Sequence, residues 1–305
     1  MEPQRIIGID ENGLGPRLGP LVVTGVRLRL SGTPLTMTTL RAATRLDDSK
    51  RVFSPARRDR GEALALGVLA AGGTYSLQDL LAGRSVPVPW RPPADCPAAD
   101  RALSGACPAL ALSRPLPRWA ERAADLQPAF ERLGMAVERV AFAVLCPGTL
   151  NVALAGDTSK LAVDLRLFET VAMRLLEGAQ EVEEIVCGKV GGTDFYGERF
   201  AVWADYPVRP IVEGPERSTY QIRGVGRVSF LRDADATEPA VAIASVVGKY
   251  VRELWMDELA AAVGWDGPAP SGYHDEATTR LIEHARAAVA RGTWRLPAGC
   301  ILRAR

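Results

Sequence analysis

Residues 7–20 read Ile-Gly-Ile-Asp-Glu-Asn-Gly-Leu-Gly-Pro-Arg-Leu-Gly-Pro. An apolar run ending at Ile9 meets two adjacent carboxylates, Asp10 and Glu11. Glycines follow at 13, 15 and 19, and a second apolar run opens at Leu21. This is the pattern of a strand, a tight glycine turn and a second strand. Successive side chains of a strand point to opposite faces. One of Asp10 and Glu11 is therefore expected on the sheet face, with the other turned aside at the strand end. Two hard anionic oxygen donors at a strand end suit Mg²⁺ or Mn²⁺.

The composition is that of a globular chain: 305 residues, 47% hydrophobic and 24% charged. Such a length fits one large domain or two modest ones. The net charge of +1 comes from 37 Lys and Arg against 36 acids. A total this close to zero still allows a local basic patch of the kind that binds nucleic acid. The five cysteines, at 96, 107, 146, 187 and 300, form no Cys-x-x-Cys pair. They read as reduced thiols of a cytoplasmic protein, not as a disulfide frame or a zinc site. No apolar run approaches the length needed to span a membrane, and the N-terminus enters a strand without a signal segment.

Outward from residues 5–30, taken as two strands of a hairpin, the chain alternates. A helix is expected from Pro55, with Ser54 as its cap, running toward a strand at 73–76. Between 85 and 118, eight prolines with little periodicity mark a loop-rich excursion. A helix is expected at 118–134, a strand at 137–146, a helix at 164–177 and a short strand at 184–188. A further strand, 228–231, runs into Asp233 and Asp235, followed by a long helix at 240–263 and a helix at 275–290. No internal repeat appears. The alternation predicts an α/β protein with a mixed sheet flanked by helices, built as a single domain over 1–305. Its helical C-terminal part is 240–305, and an inserted segment lies at about 77–136.

Further blocks complete the signature of the opening stretch. Residues 46–50 read Leu-Asp-Asp-Ser-Lys. Residues 235–252 carry Asp235, Pro239, Ala244, Ser245, Lys249 and Arg252 in register, and Gly272-Tyr273 precedes the last helix. In this order they resemble the family of ribonuclease HII. Its opening signature is matched at Gly8, Ile9, Asp10, Glu11, Gly13, Gly15, Pro16, Gly19 and Pro20.

The resemblance implies a ribonuclease H fold, hydrolysis of RNA in RNA–DNA hybrids, Mg²⁺ or Mn²⁺, and several acids converging on ions about 4 Å apart. Two of the acids transfer onto Asp10 and Glu11. A third transfers onto Asp235, with Asp233 as its rival two residues earlier. The fourth should follow the strand at 184–188, where the chain has Cys187 or, one register on, Gly188. Neither supplies a carboxylate. Lys189 brings a positive charge there instead, and Asp194 stands in a glycine-rich loop that could curl back as a ligand or remain a surface acid. Leu14 replaces the arginine with which the family grips the nucleic-acid backbone, leaving the amides of Gly13 and Gly15 to approach a 2′-hydroxyl. Ser49, Lys50 and Lys249 are candidate substrate contacts, with Arg252 a further candidate for phosphate. Tyr273 is the residue expected to stack beneath a sugar.

Three functions compete. The first is a divergent metal-dependent endonuclease acting on hybrids. The second is a catalytically weakened or inactive descendant that binds nucleic acid. The third is a nuclease of the same fold with another substrate. The joint presence of Asp10, Glu11 and Asp235 favours an enzyme, because like charges are costly to gather without a cation.

Overall fold

The computed structural model describes residues 3–303, except 33, 55–56, 77–78, 81–83, 95, 97–122, 157, 180–181, 183 and 293–297. The chain runs β1 (Gln4–Asn12), β2 (Leu21–Leu30), α1 (Met37–Thr44), α2 (Ser49–Val52), α3 (Arg58–Ala71), α4 (Gln127–Arg132), β3 (Met135–Leu145), α5 (Pro147–Ala155) and α6 (Lys160–Leu176). It continues through β4 (Glu184–Gly188), β5 (Val208–Glu213), β6 (Arg217–Ile222), β7 (Gly226–Leu231), α7 (Ala234–Thr237), α8 (Pro239–Ala262) and α9 (Glu276–Ala290). The strands form one sheet in the order β3-β2-β1-β4-β7-β6-β5. Three central strands are parallel, β1 to β4 and β4 to β7. The flanking pairs are antiparallel. The expected α/β mixed sheet with flanking helices is therefore present.

The strand period divides the core in two. Ile7 and Ile9 of β1, with Leu21 and Val23 of β2, face α6 and an aromatic group of Phe168, Tyr196, Phe200, Trp203, Tyr220 and Phe230. The alternate residues Val22, Val26 and Leu28 face α8, α3 and α9. Each fully buried aliphatic or aromatic side chain contributes about 1.5–3 kcal/mol, so both faces hold the sheet. Helix α8 opens with Pro239, whose missing N–H costs nothing in a first turn. It lies directly on β1 because Gly8 has no side chain: a β-carbon there would come 2.2 Å from the Ala240 carbonyl carbon.

Several expectations are corrected. Residues 73–76 are not a strand, because Gly72 and Gly73 turn the chain back and the Thr74 N–H donates to the Leu69 carbonyl, 2.9 Å away. The helix expected from Ser54 and Pro55 begins at Arg58, while Pro55 lies outside the described residues. Of the helix expected at 118–134, α4 is observed at 127–132 and residues 118–122 lie outside the described residues. The hairpin of β5 and β6, and helices α1 and α5, were not anticipated. Around the proposed insertion, the Val86 N–H donates to Phe142 on outer strand β3, away from the parallel strands. Residues 97–122 of that segment lie outside the described residues.

Candidate active site

The parallel strands deliver their C-terminal ends to one edge of the sheet. Asp10 and Glu11 lie in the last three residues of β1, Gly188 ends β4, and after β7 come Asp233 and, on α7, Asp235. These residues line a cleft of about 460 Å³ together with Asn12, Gly13, Ser49, Lys50, Lys189, Ser245, Lys249, Arg252 and Tyr273. Asp48 caps α2 by accepting from the Lys50 N–H at 2.8 Å, which presents Ser49 and Lys50 to the cleft. The Ser245 and Ser49 hydroxyls are hydrogen-bonded at 2.9 Å. This contact ties α8 to α2.

Burial pushes the Asp10 carboxyl well above the usual carboxylate range. A hydrogen bond from Ser245 opposes the shift, and the charges of Glu11 and Asp235 add to it. Burial also raises Glu11, against the Leu14 N–H that its Oε2 accepts at 2.9 Å and the positive charges of Arg303, Arg252 and Lys50. Asp235 is raised by burial and by Asp48, while Lys50 draws it back; Lys50 Nζ is 3.3 Å from Asp235 Oδ2. Lys249 pairs with Glu253 at 2.7 Å. Arg252, buried at 1% exposure, stands 5.6 Å over the Tyr273 ring.

The strand register separates the two candidates for the absent acid. Ile9 pairs with Cys187, and Cys187, fully buried, belongs to the core beneath α6. Gly188 is the next residue and lines the cleft beside Asp10. Asp194 is not brought to the cluster. It lines a neighbouring open hollow, and its carboxylate is paired with Lys189, whose ammonium also donates to the carbonyls of Gly214 and Pro215 at 2.6 and 2.8 Å. Among the described residues, no three His, Cys, Asp or Glu side chains already stand at metal-holding positions.

Two residues near the site went unnoticed in the sequence. Asp164, on α6, is fully buried, and neither carboxylate oxygen has a hydrogen-bond partner. Burial, then the charges of Glu11 and Asp10, raise its pKa strongly. The available signal was an acid on the apolar stripe of Leu167, Phe168, Val171 and Leu175. Arg303, 8% exposed, donates from Nε to the Gly19 carbonyl at 2.7 Å and from Nη1 to the carbonyls of Gly13 and Leu14. Nothing in the local sequence marks it.

Fold and cleft together define an α/β protein with a mixed sheet flanked by helices and acids gathered at the ends of parallel strands. Within that class the chain resembles ribonuclease HII: the model of the Ribonuclease HII family matches residues 209–296, from β5 through α9. That span contains Asp235, Ser245, Lys249, Arg252 and Tyr273. Among curated proteins, none matches the chain in sequence. Similar solved structures include Bst-RNase HIII in complex with Mn²⁺, at 18% identity and TM-score 0.48, covering 98% of this chain and 66% of that one. RNase HII of the PCNA:RNase HII complex from Archaeoglobus fulgidus has 20% identity and TM-score 0.49, covering 98% and 94%. Ribonuclease H2 from Pyrococcus horikoshii OT3 has 14% identity and TM-score 0.47, covering 98% and 92%. No helix among the described residues is long and apolar enough to cross a membrane.

Proposed function

We propose that this chain is a divergent metal-dependent endoribonuclease that hydrolyses RNA in RNA–DNA hybrids in the cytoplasm. The observation that carries this reading is the convergence of Asp10, Glu11 and Asp235 on one cleft that also holds Lys50, Lys249 and Tyr273. Three carboxylates in a partly enclosed space favour a divalent cation, and burial raises the pKa of all three. Their oxygens are the hard donors that Mg²⁺ and Mn²⁺ take. Asp10, Glu11 and Asp235 would hold the ion. When bound, it would supply a lowered pKa for an attacking water and neutralisation of charge on the leaving oxygen.

The protein's own groups have separate tasks. In this reading Lys50 and Lys249, both lining the cleft, would meet phosphates as point charges, and Ser49 would offer a hydroxyl beside them. Tyr273, 43% exposed, offers a face on which a sugar can rest. Gly13, Leu14 and Gly15 contribute backbone, since Leu14 turns its side chain to the core under α6.

A second reading, a weakened or inactive nucleic-acid-binding descendant, is favoured by the glycine at 188. The test is cleavage of a labelled RNA–DNA hybrid beside a duplex with a single ribonucleotide, in Mg²⁺ and in Mn²⁺, with calorimetry for the metal. Cleavage that disappears in Asp10→Asn supports the enzyme. Tight hybrid binding without cleavage in either metal supports the binding module instead.

A further inference from the structure

The turn at residues 13–19 is not held by the side chain at position 14. Leu14 packs against the core, and only Gly13 of the Gly13-Leu14-Gly15 triplet lines the cleft. Its backbone carbonyls are instead gathered by a residue almost the whole chain away. Arg303 binds the carbonyls of Gly13, Leu14 and Gly19 with two nitrogens. Its own N–H donates to the Arg17 carbonyl at 3.1 Å, and the preceding residue, Leu302, pairs with Leu18 as an isolated β-bridge. From the other side, Arg252 donates to the Leu18 carbonyl at 3.3 Å and to the Ser271 carbonyl at 3.0 Å.

This arrangement has a directional consequence. A trans peptide is planar, with its C=O and N–H pointing opposite ways. Arg303 draws in the Leu14 carbonyl, so the Gly15 N–H on the same peptide points away from Arg303. Gly15 is also where the turn approaches Tyr273: a β-carbon there would sit 3.8 Å from the ring. The Gly13 carbonyl is drawn in as well, while the Leu14 N–H goes to Glu11. The turn is thus held through Arg303 on its carbonyls and through Glu11 on an amide.

We propose that Arg303 is a positioning residue: by holding the turn's carbonyls it sets the glycine turn so that the Gly15 amide meets a ribose hydroxyl. This rests on the reading of the cleft as a site for ribose-containing duplexes. An arginine suits the task because its planar fork can hold several carbonyls at fixed angles. Buried, it keeps those angles without competition from water.

The experiment compares binding of three duplexes to the Asp10→Asn protein with and without Arg303→Met: all-DNA, DNA with one ribonucleotide, and RNA–DNA hybrid. Fluorescence anisotropy gives each Kd. Arg303→Met should weaken both ribose-containing duplexes roughly tenfold or more, while the all-DNA duplex changes little. Amide hydrogen exchange in the 13–19 turn should quicken, with β1 unchanged. Equal weakening on all three duplexes, or no weakening, overturns the proposal. If Arg303→Met fails to fold, Arg303→Lys replaces it. Its ammonium reaches fewer carbonyls, so it should lose ribose preference in part; an unchanged preference overturns the proposal. A parent protein that binds all three duplexes alike sinks the functional reading and the Arg303 role with it. A parent that prefers ribose, with a variant that prefers it equally, sinks only the Arg303 role.

Discussion

Gly188 stands directly against Asp10: a β-carbon at Gly188 would come 2.5 Å from Asp10 Oδ1. The two residues end neighbouring parallel strands on the same face of the sheet, and the space a side chain would take is filled by the Asp10 carboxylate. Gly188→Asp therefore needs a small swing of Asp10, which a bound cation would favour by drawing both groups to itself. Hybrid cleavage should rise by about tenfold or more at low Mg²⁺. Cys187→Asp should not rescue it. Cys187 is fully buried on the other face, and an isolated carboxylate there should cost on the order of 3 kcal/mol or more. Cleavage rates and melting curves of both variants check this; equal gains from the two would refute the face assignment.

Asp10 gives a pH signature. Its folded-state pKa lies well above the ordinary 3.8 because of burial and neighbouring acids. The folded protein therefore holds this proton more tightly than the unfolded chain. Its contribution to metal-free stability is greatest at acid pH and is lost as pH rises from about 3.8 through the raised value. Asp10→Asn removes that loss. Without metal at neutral pH, the variant should be more stable than wild type, with a flatter Tm-against-pH curve. Added Mn²⁺ should raise the wild-type Tm more than that of the variant. Parallel curves with and without Mn²⁺ would contradict this.

Away from the cleft, Glu169 holds a loop. Its carboxylate accepts from the backbone N–H groups of Ala201, Val202 and Trp203 at 2.8–3.1 Å. These amides have no strand or helix to bond to. Glu169→Ala removes the partner of all three, of which the Trp203 amide is buried, and should cost roughly 1–3 kcal/mol. Urea unfolding measures it. Hybrid affinity of the folded variant should stay near wild type.

Asp194 is committed to Lys189, and Asp194→Asn should change Mn²⁺ affinity by less than about twofold, read by calorimetry. A large loss would mean that the loop moves its carboxylate into the cleft.

The central elements were legible because their patterns are local. Ile6 to Glu11 and Leu21 to Val26 carry a strand period interrupted by glycines, and the Ala240–Val263 run is apolar enough for a helix buried along most of its length. The hairpin of β5 and β6 escaped notice because β5 is an edge strand. Arg209, Pro210, Ile211, Val212 and Glu213 are all exposed, so burial imposes no alternation on them. That Asp10, Glu11 and Asp235 line one cleft was legible because they sit in short signatures. The choice between Cys187 and Gly188 needed a partner strand to settle which face each occupies. Asp164 and Arg303 come near the cleft only through neighbours far along the chain, which no local pattern records. The proposed insertion at 77–136 should be tested by limited proteolysis, with first cuts expected near 85–115; earlier cuts within β1 or α8 would count against it.

The bond from Arg303 to Gly13 joins residues 290 positions apart. Closing so long a loop carries an entropic cost that local contacts do not, and non-local pairing slows folding. The glycine turn should therefore settle last, after the sheet has formed and after residues beyond 300 have been synthesised. Time is thus part of the architecture: Arg303 is made long after Asp10 and Glu11, and the turn beside them should gain its carbonyl clamp only once Arg303 is in place.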